Sequence, residues 1–516
     1  VTEWPAVVLL AAWCLAWADA PVHAGDVPHR LPVALAVHVH STISTGSLSL
    51  DQLASRVRAA DLDGLILTDN YDLHVEYGMW PLRGLLRYGV DYPSVRRIGA
   101  AAYLEKIRAA RQRHPDLLWI PGLEVMPQYF WTGSLREKNL TLHDTQKNLL
   151  LVGLDSPAQM AAVTGSHPSP VGPALLWPAL LAAPAVWLWR KERVVEARTK
   201  FFHLTTRDRF RAEAASLGLI AVLLLANNLI LARQAVDPYG PDPGDVPAQR
   251  LINAVHSAGG LSFWSLPEAV DDHRYLMSDL ADQNRVLGLI GHALAWYDGA
   301  VSVRTDPYPQ SLVMTTGYTG FGILYQNRVK AAQPGGLWDQ LLLDYLHGDR
   351  AEPVWGVGEL AYHDEGGNRK RFSDIQTVVL AESRTVASVL SALRAGAFYA
   401  RQRQPAWGLV LDSFSLRGTG REAISGQTIV SVPGEPVTVS VAVSASDGRS
   451  APVEVKVIRS GQLWQTFTAI TPFERHWSEN APIAGGRAYY RVDVGKGDQH
   501  LVSNPVFVRA GVQQAG

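Results

Sequence analysis

The sequence predicts a mixed α/β protein: βαβ units building a parallel sheet or barrel, interrupted by a membrane-spanning helical hairpin and followed by an all-β sandwich. Three observations carry this reading. Apolar runs that end in polar residues alternate with helical patterns over 25–155 and again over 246–403. Two uncharged apolar segments, about 172–189 and 214–232, interrupt that alternation. From about Gln404 the pattern changes to short alternating runs separated by Gly, Pro, Ser and Asp, which marks 404–516 as a β-sandwich domain. At 516 residues the chain exceeds one compact domain. A net charge of −1 gives no footprint for a nucleic-acid partner. Only 18% of residues are charged, against about 25% in an average soluble domain, so the chain is core-rich or partly in a membrane.

In chain order, Ala6–Ala18 is an apolar run of signal-peptide length, and Val22-His23-Ala24 offers a cleavage site. Residues 1–24 are therefore expected to be a signal peptide or, if uncleaved, an N-terminal anchor. Cys14 is the only cysteine, which excludes an intramolecular disulfide and cysteine-based zinc ligation. The first strand is the run Leu35–Ser41, with Val37 and Val39 on one face and His38 and His40 on the other. A helix follows over Leu50–Ala60, then strands at Gly64–Asn70, Leu117–Val125 and Asn148–Leu154, with a helix at Ala100–Arg113 before the second of these.

The apolar pair sits in an insertion, 156–245. Its intervening stretch 190–213 holds eight Lys/Arg and four Asp/Glu, the composition of a cytoplasmic loop. That topology leaves both α/β halves and the β domain on the extracytoplasmic side. The alternative is a pair of buried core helices. After a Pro/Gly/Asp connector, helices are expected at Ala248–Ala258 and Ala387–Gly396, with strands at Gly260–Trp264, Arg285–Ile290 and Val354–Glu359.

In parallel α/β folds the site forms at strand C-terminal ends. His38, His40, Asp69 and Glu124 all sit at such ends, which makes a metal site the preferred reading over chance half-buried histidines.

Several motifs together resemble the PHP (polymerase and histidinol phosphatase) domain, in its carbaryl-hydrolase-like metallohydrolase branch. They are VHVHS at Val37–Ser41, LTDN at Leu67–Asn70, PGLEV at Pro121–Val125 and NLLLVGL at Asn148–Leu154. GGLSFWSLPE at Gly259–Glu268, GVGELAYH at Gly356–His363, LRAGAFY at Leu393–Tyr399 and the region Tyr489–Val508 complete the set. The resemblance implies an irregular (β/α)7 barrel, in two halves at 25–155 and 246–403, with divalent metals at the strand ends. It implies His38, His40 and Glu124 as metal ligands, and it matches Asp69 and His363 to further motif positions. Asn70 and Asn148 stand where the family has histidines. Leu266 and Ala361 stand where it has a histidine and an aspartate. These four are poor ligands or none, so one divalent ion (Zn, Mn or Fe) is expected rather than three.

The expected function is thus a membrane-anchored extracytoplasmic metal-dependent hydrolase of phosphoester or ester bonds. Asp69 would be a general base or a partner behind the ligands, and His363 a proton donor or weak further ligand. The other reading is an inactive PHP pseudoenzyme serving as a membrane-associated binding or scaffolding module. His143, Asp271-Asp272-His273 and Asp364-Glu365 are candidate substitute ligands, each better explained as a solvated loop residue. A sugar platform on Trp464 and Trp477 has only the β pattern behind it. Because the insertion lies in a βα loop, the site is expected to face the bilayer, with a lipid head group or a small membrane-proximal ester or phosphoester as substrate.

Overall fold

A computed structural model describes residues 30–164, 173–198, 200–232, 237–276, 300–325, 329–364, 370–418, 420–432, 435–479 and 486–511. The expected signal segment 1–24 and the strand expected at Arg285–Ile290 lie outside the described residues.

The α/β domain is organised on strands β1 (Leu31–Val39), β2 (Gly64–Leu67), β3 (Leu118–Val125), β4 (Leu149–Val152), β5 (Leu261–Trp264), β6 (Gly320–Leu324), β7 (Trp355–Gly358), β8 (Ile375–Ala381) and β9 (Phe398–Gln402). Their spatial order is β7-β6-β5-β4-β3-β2-β1-β8-β9. The ladders β1–β2–β3 and β5–β6–β7 are parallel, whereas β4 runs antiparallel to both β3 and β5. The chain just after β7 returns to β1: Leu360 N donates to Val37 O (2.8 Å), Tyr362 N to His38 O (2.9 Å) and His40 N to Tyr362 O (2.9 Å). A single bridge, Val39 to Tyr362, marks this junction; no full ladder closes the ring among the described residues.

The sequence explains these elements. β2 and β4 are short continuous apolar runs, GLIL and LLLV, buried at every position, as strands covered on both faces must be. Helix α1 (Leu50–Ala59) starts in a capping box, where Ser49 Oγ accepts from Gln52 N and Gln52 Oε1 accepts from Ser49 N. It buries Leu53, Ala54 and Val57. Helix α2 (Ala100–Arg113) buries Tyr103, Leu104, Ile107 and Ala110, the i, i+3/i+4 stripe that packs a helix on a sheet.

From Leu409 onward the strands divide between two sheets. One, ordered 421–424, 409–418, 437–445 and 473–479, stands alone. The other is continuous with the α/β sheet: β9 pairs with Gln499–Ser503, which leads to Arg487–Lys496 and Pro452–Arg459. The alternating valines Val439, Val441, Val443 and Val453, Val455, Val457 are buried between them. Arg491, fully buried, grips Asp339 with Nε and Nη2 at 2.7 Å each, and Tyr489 OH donates to the same carboxylate at 2.7 Å. This bidentate pair fastens the C-terminal strands to helix Leu337–His347.

The inserted segment differs from its expected form. Of its two apolar arms, only helix α3 (Arg211–Leu231) has the length and apolarity to cross a membrane, with mean hydropathy 2.2. The first arm is broken, with 3-10 turns over Pro173–Leu181 containing Pro178 and then a nine-residue α-helix, Ala182–Arg190. Proline lacks an N–H and clashes with the preceding turn, so this arm is not one continuous α-helix. The arm still lies beside α3: Asn228 Nδ2 donates to Leu175 O (3.0 Å) at one end and Phe210 N to Lys191 O (3.5 Å) at the other. The basic stretch expected as a loop is instead an antiparallel ribbon, Glu192–Arg198 with His203–Arg209. Its cross-strand pairs Arg193–Asp208 (2.9 Å) and Arg209–Glu192 (3.1 Å) use charges that sequence reading had assigned only to topology.

Candidate metal centre

β1 delivers two histidines to one point, though not by a regular pleat. His38 has φ +67°, and the β1–β2 register shifts between Val37 and Val39. The bulge re-aims the ring. His38 Nε2 and His40 Nε2 come to 3.0 Å from each other. Glu124, on β3, completes the triangle, with Oε1 3.2 Å from His38 Nε2 and Oε2 3.5 Å from His40 Nε2. All three side chains are buried, at 2%, 0% and 6% exposure. Among the described residues this is the only cluster of His, Cys, Asp and Glu able to hold a metal ion.

The donor set fits a divalent ion. Four tetrahedral ligands at about 2.1 Å stand about 3.4 Å apart, close to the three edges seen here. Both histidines also have their other nitrogen tied off. His38 Nδ1 meets Glu359 Oε1 at 2.5 Å, so Nδ1 carries the hydrogen and Nε2 faces the centre. Ser44 Oγ spends its hydrogen on Asp69 Oδ1 (2.6 Å), so it accepts weakly from His40 Nδ1 at 3.4 Å. His40 Nε2 therefore also points its lone pair inward. Asn148 Oδ1 is buried with no hydrogen-bond partner.

Asn70 and Asn148 both bond the triad's carboxylate. Asn70 Nδ2 donates to Glu124 Oε2 at 2.5 Å and Asn148 Nδ2 to Glu124 Oε1 at 2.8 Å. Each carboxylate oxygen is thus held by one amide. Leu266 and Ala361 contribute no polar side-chain atom, yet both keep left-handed backbone, φ +44° and +50°. That conformation is costly for residues with a Cβ and is kept only where surroundings impose it.

Electrostatics follow from these contacts. Burial lowers the His38 pKa, but the Glu124 and Glu359 carboxylates outweigh it and raise it to about 9. A proton on His38 Nε2 satisfies His40 Nε2 and Glu124 Oε1 together. Burial holds His40 well below the usual imidazole range. Burial would raise Glu124, but His38 dominates and brings it down to about 2.

Asp69 lies one layer behind. Its Oδ1 accepts from Ser41 N (2.8 Å) and Ser44 Oγ, and its Oδ2 from Ser41 Oγ (2.8 Å). His363 stacks on His40 with ring centroids 4.1 Å apart and planes 10° from parallel. Thr45 Oγ1 donates to Asn70 Oδ1 (2.9 Å), so it accepts from His363 Nδ1 at 2.9 Å. His363 Nε2 is left as an acceptor, and burial depresses its pKa.

The substitute ligands fall elsewhere. His143 stacks on Phe130 and binds Thr132 Oγ1. His273 pairs with Asp271 on an exposed strand edge. Asp364 is exposed and outside the cluster, and Glu365 lies outside the described residues. Trp464 and Trp477 are half-buried and pack together with centroids 6.2 Å apart, so they form no open platform.

Sequence reading missed Glu359. It is fully buried and binds His38 Nδ1, Ser265 Oγ and Leu266 N (3.1 Å). Gly322 makes room for it, since a Cβ there would stand 2.2 Å from Glu359 Oε2. The signal was present: a carboxylate directly after the buried run Trp355–Gly358, the same strand-end position that singled out Glu124.

No family model matches the sequence, and no curated protein is similar to it. The fold is similar to a Bacteroides vulgatus two-domain protein containing a predicted PHP-like metal-dependent phosphoesterase. Identity is 11%, TM-score 0.33, with 90% of this chain and 92% of that one covered. It is also similar to an amidohydrolase from Chromobacterium violaceum with bound sulfate and no metal, at 14% identity and TM-score 0.25, covering 64% and 88%. The site must therefore be read from its own residues.

Proposed function

We propose that the protein is a membrane-anchored, extracytoplasmic PHP-type hydrolase of phosphoester or ester bonds. It would work with a single divalent ion held by His38, His40 and Glu124. The observation that carries this reading is the convergence of three buried donors, each with its other polar atoms already engaged. An ion in that position supplies a Lewis acid toward a phosphoryl or carbonyl oxygen and makes water more acidic. The protein's own residues do the rest. Glu359 and the Ser44–Asp69 pair hold the two imidazoles in the ligating tautomer. Asn70 and Asn148 orient Glu124. His363, with Nε2 unprotonated and its ring against His40, can accept a proton beside the ligands and return it to a leaving group. Asp69 acts through Ser41 and Ser44, as a positioning residue behind His40. Anchoring rests on the apolarity of α3 and on the basic ribbon beyond its first turn, which the positive-inside tendency places in the cytoplasm.

A second reading has an observation of its own. With His38 protonated and both Glu124 oxygens amide-bonded, the cluster satisfies itself, as a scaffolding pseudoenzyme would require. Metal analysis of the purified full chain separates the two. One equivalent of Zn, Mn or Fe, lost in the His38→Ala/His40→Ala variant, with turnover of a nitrophenyl phosphodiester or ester, supports the hydrolase. A metal-free parent that cannot be loaded supports the scaffold.

A further inference from the structure

We infer that the tip of the finger over residues 79–86 is a membrane-interface element, seated in the lipid head groups beside α3. This rests on the proposed anchoring of α3 and adds to it a contact made by the α/β domain itself. The finger is an antiparallel pair, His74–Gly78 with Arg87–Asp91, rising from the end of β2. Its base is tied to the metal centre's own loop, as Val95 N donates to Asn70 O at 3.0 Å. The shaft is stiffened by the Arg87–Glu76 pair at 2.9 Å and by Trp131 Nε1 donating to Glu76 O at 2.8 Å.

The tip reads Met79-Trp80-Pro81-Leu82-Arg83-Gly84-Leu85-Leu86. It leaves Trp80 80% exposed, with Met79, Leu85 and Leu86 also exposed. Such a cluster on a loop tip has no reason to face water. Its position supplies the reason. Gly84 N donates to the buried Asn227 Oδ1 of α3 at 2.6 Å, and a Cβ on Gly84 would stand 2.8 Å from Asn227 O. Asn227, a buried polar residue in the apolar run of α3, is thus spent on docking the tip. Arg83 lies over the Tyr239 ring at 4.3 Å, placing a cation at the same level.

The tryptophans of the inserted arm mark two levels. Trp187 and Trp189 lie near Lys191 and Arg211, which sit 4.3 and 5.7 Å over their rings. Trp177 is two residues from Leu175, the partner of Asn228 at the far end. Arg211 and Asn228 are about 26 Å apart along the helix at 1.5 Å per residue, close to the roughly 30 Å hydrocarbon core. Trp80 joins Trp177 at the second level, where aromatic side chains concentrate at a bilayer surface. The finger base carries Asn70, so this docking brings the metal centre close to the head groups.

The test uses single cysteines in the Cys14→Ser full chain, reconstituted in phosphatidylcholine vesicles and labelled with an environment-sensitive fluorophore. Trp80→Cys and Met79→Cys report the tip, and Val222→Cys reports the middle of α3. The expected result is blue-shifted emission at all three. A shallow spin-labelled lipid should quench the tip sites most, and a deep one should quench Val222→Cys most. Quenching of Val222→Cys with water-like emission at both tip sites overturns the inference and leaves the anchoring intact. Water-like emission at Val222→Cys overturns the anchoring and this inference with it.

Discussion

The metal centre has two halves that share a backbone plan and differ in what the side chains offer. On β1 and β3, His38, His40 and Glu124 present converging lone pairs. On the other side, Asn70, Asn148, Leu266 and Ala361 present amides or carbon. The amides have turned to bond Glu124, while Leu266 and Ala361 hold left-handed backbone that their side chains do not need. The two sides differ in their support as well: Glu359 stands behind His38, and Ser44 with Asp69 behind His40.

The strongest way to break this comparison is to remove a support. Glu359→Gln keeps the shape but replaces the carboxylate that sets the His38 tautomer. Loss of such a partner costs about 10–100-fold in metal affinity, readable by competition with a chelating dye. Asn70→Ala, which removes only an amide donor to Glu124, should change affinity less. Equal losses in the two variants would erase the distinction between the halves.

Next in size is a proton linkage. An ion can occupy the triad only when His38 gives up its Nε2 proton, whose pKa is about 9. Below that pH, affinity should fall about tenfold per unit of acidification. Calorimetry at pH 7 in two buffers of different ionisation enthalpy should find about one proton released per ion. The same shift bears on stability. Because the folded-state pKa lies above the unfolded value of 6.5, the metal-free fold gains stability that is fully present below pH 6.5. That gain is lost as pH rises through about 9. Its melting temperature should decline across that window, and the metal-loaded protein's should not.

Asn148→Leu comes third. It strips a donor from a buried carboxylate oxygen and should destabilise the metal-free fold by about 1–3 kcal/mol, measured by urea unfolding. Metal loading should reduce that cost.

The buried triad was legible in the sequence because it obeys a rule with a period: polar residues where an apolar strand run stops. That rule found His38, His40 and Glu124. Applied once more, it would have found Glu359, which was passed over for the histidine four residues later. Ser44, Thr45 and Ser265 were not legible. Their roles depend on which hydrogen goes where across a gap of many residues, and no spacing encodes that. The bulge at His38 was equally hidden, because a bulge is set by pairing with β2. Several strand and helix positions were readable from apolar runs, but β6, β8, β9 and the helix Leu337–His347 were not expected, and in β6 the glycine-rich run Gly320–Leu324 gave little signal. The pairing of Glu192–Arg198 with His203–Arg209 was not legible, because charges counted for topology also pair across strands.

The smallest expected effect is the sharpest test of what the emptied half retains. Ala361 sits at φ +50° next to a main-chain link from Tyr362 N to His38 O. Left-handed backbone with a Cβ costs about 1–2 kcal/mol, and glycine gives back part of that relief through its looser unfolded chain. Ala361→Gly should therefore stabilise the protein by about 1 kcal/mol or less. Ala392→Gly, in the helix Val386–Ala395, has no such strain to relieve and should destabilise by about 1 kcal/mol. The opposite signs of two Ala→Gly changes would show that the backbone at Ala361 is strained. If Ala361→Gly also destabilises, the left-handed turn is comfortable, and the two halves differ in side chains alone.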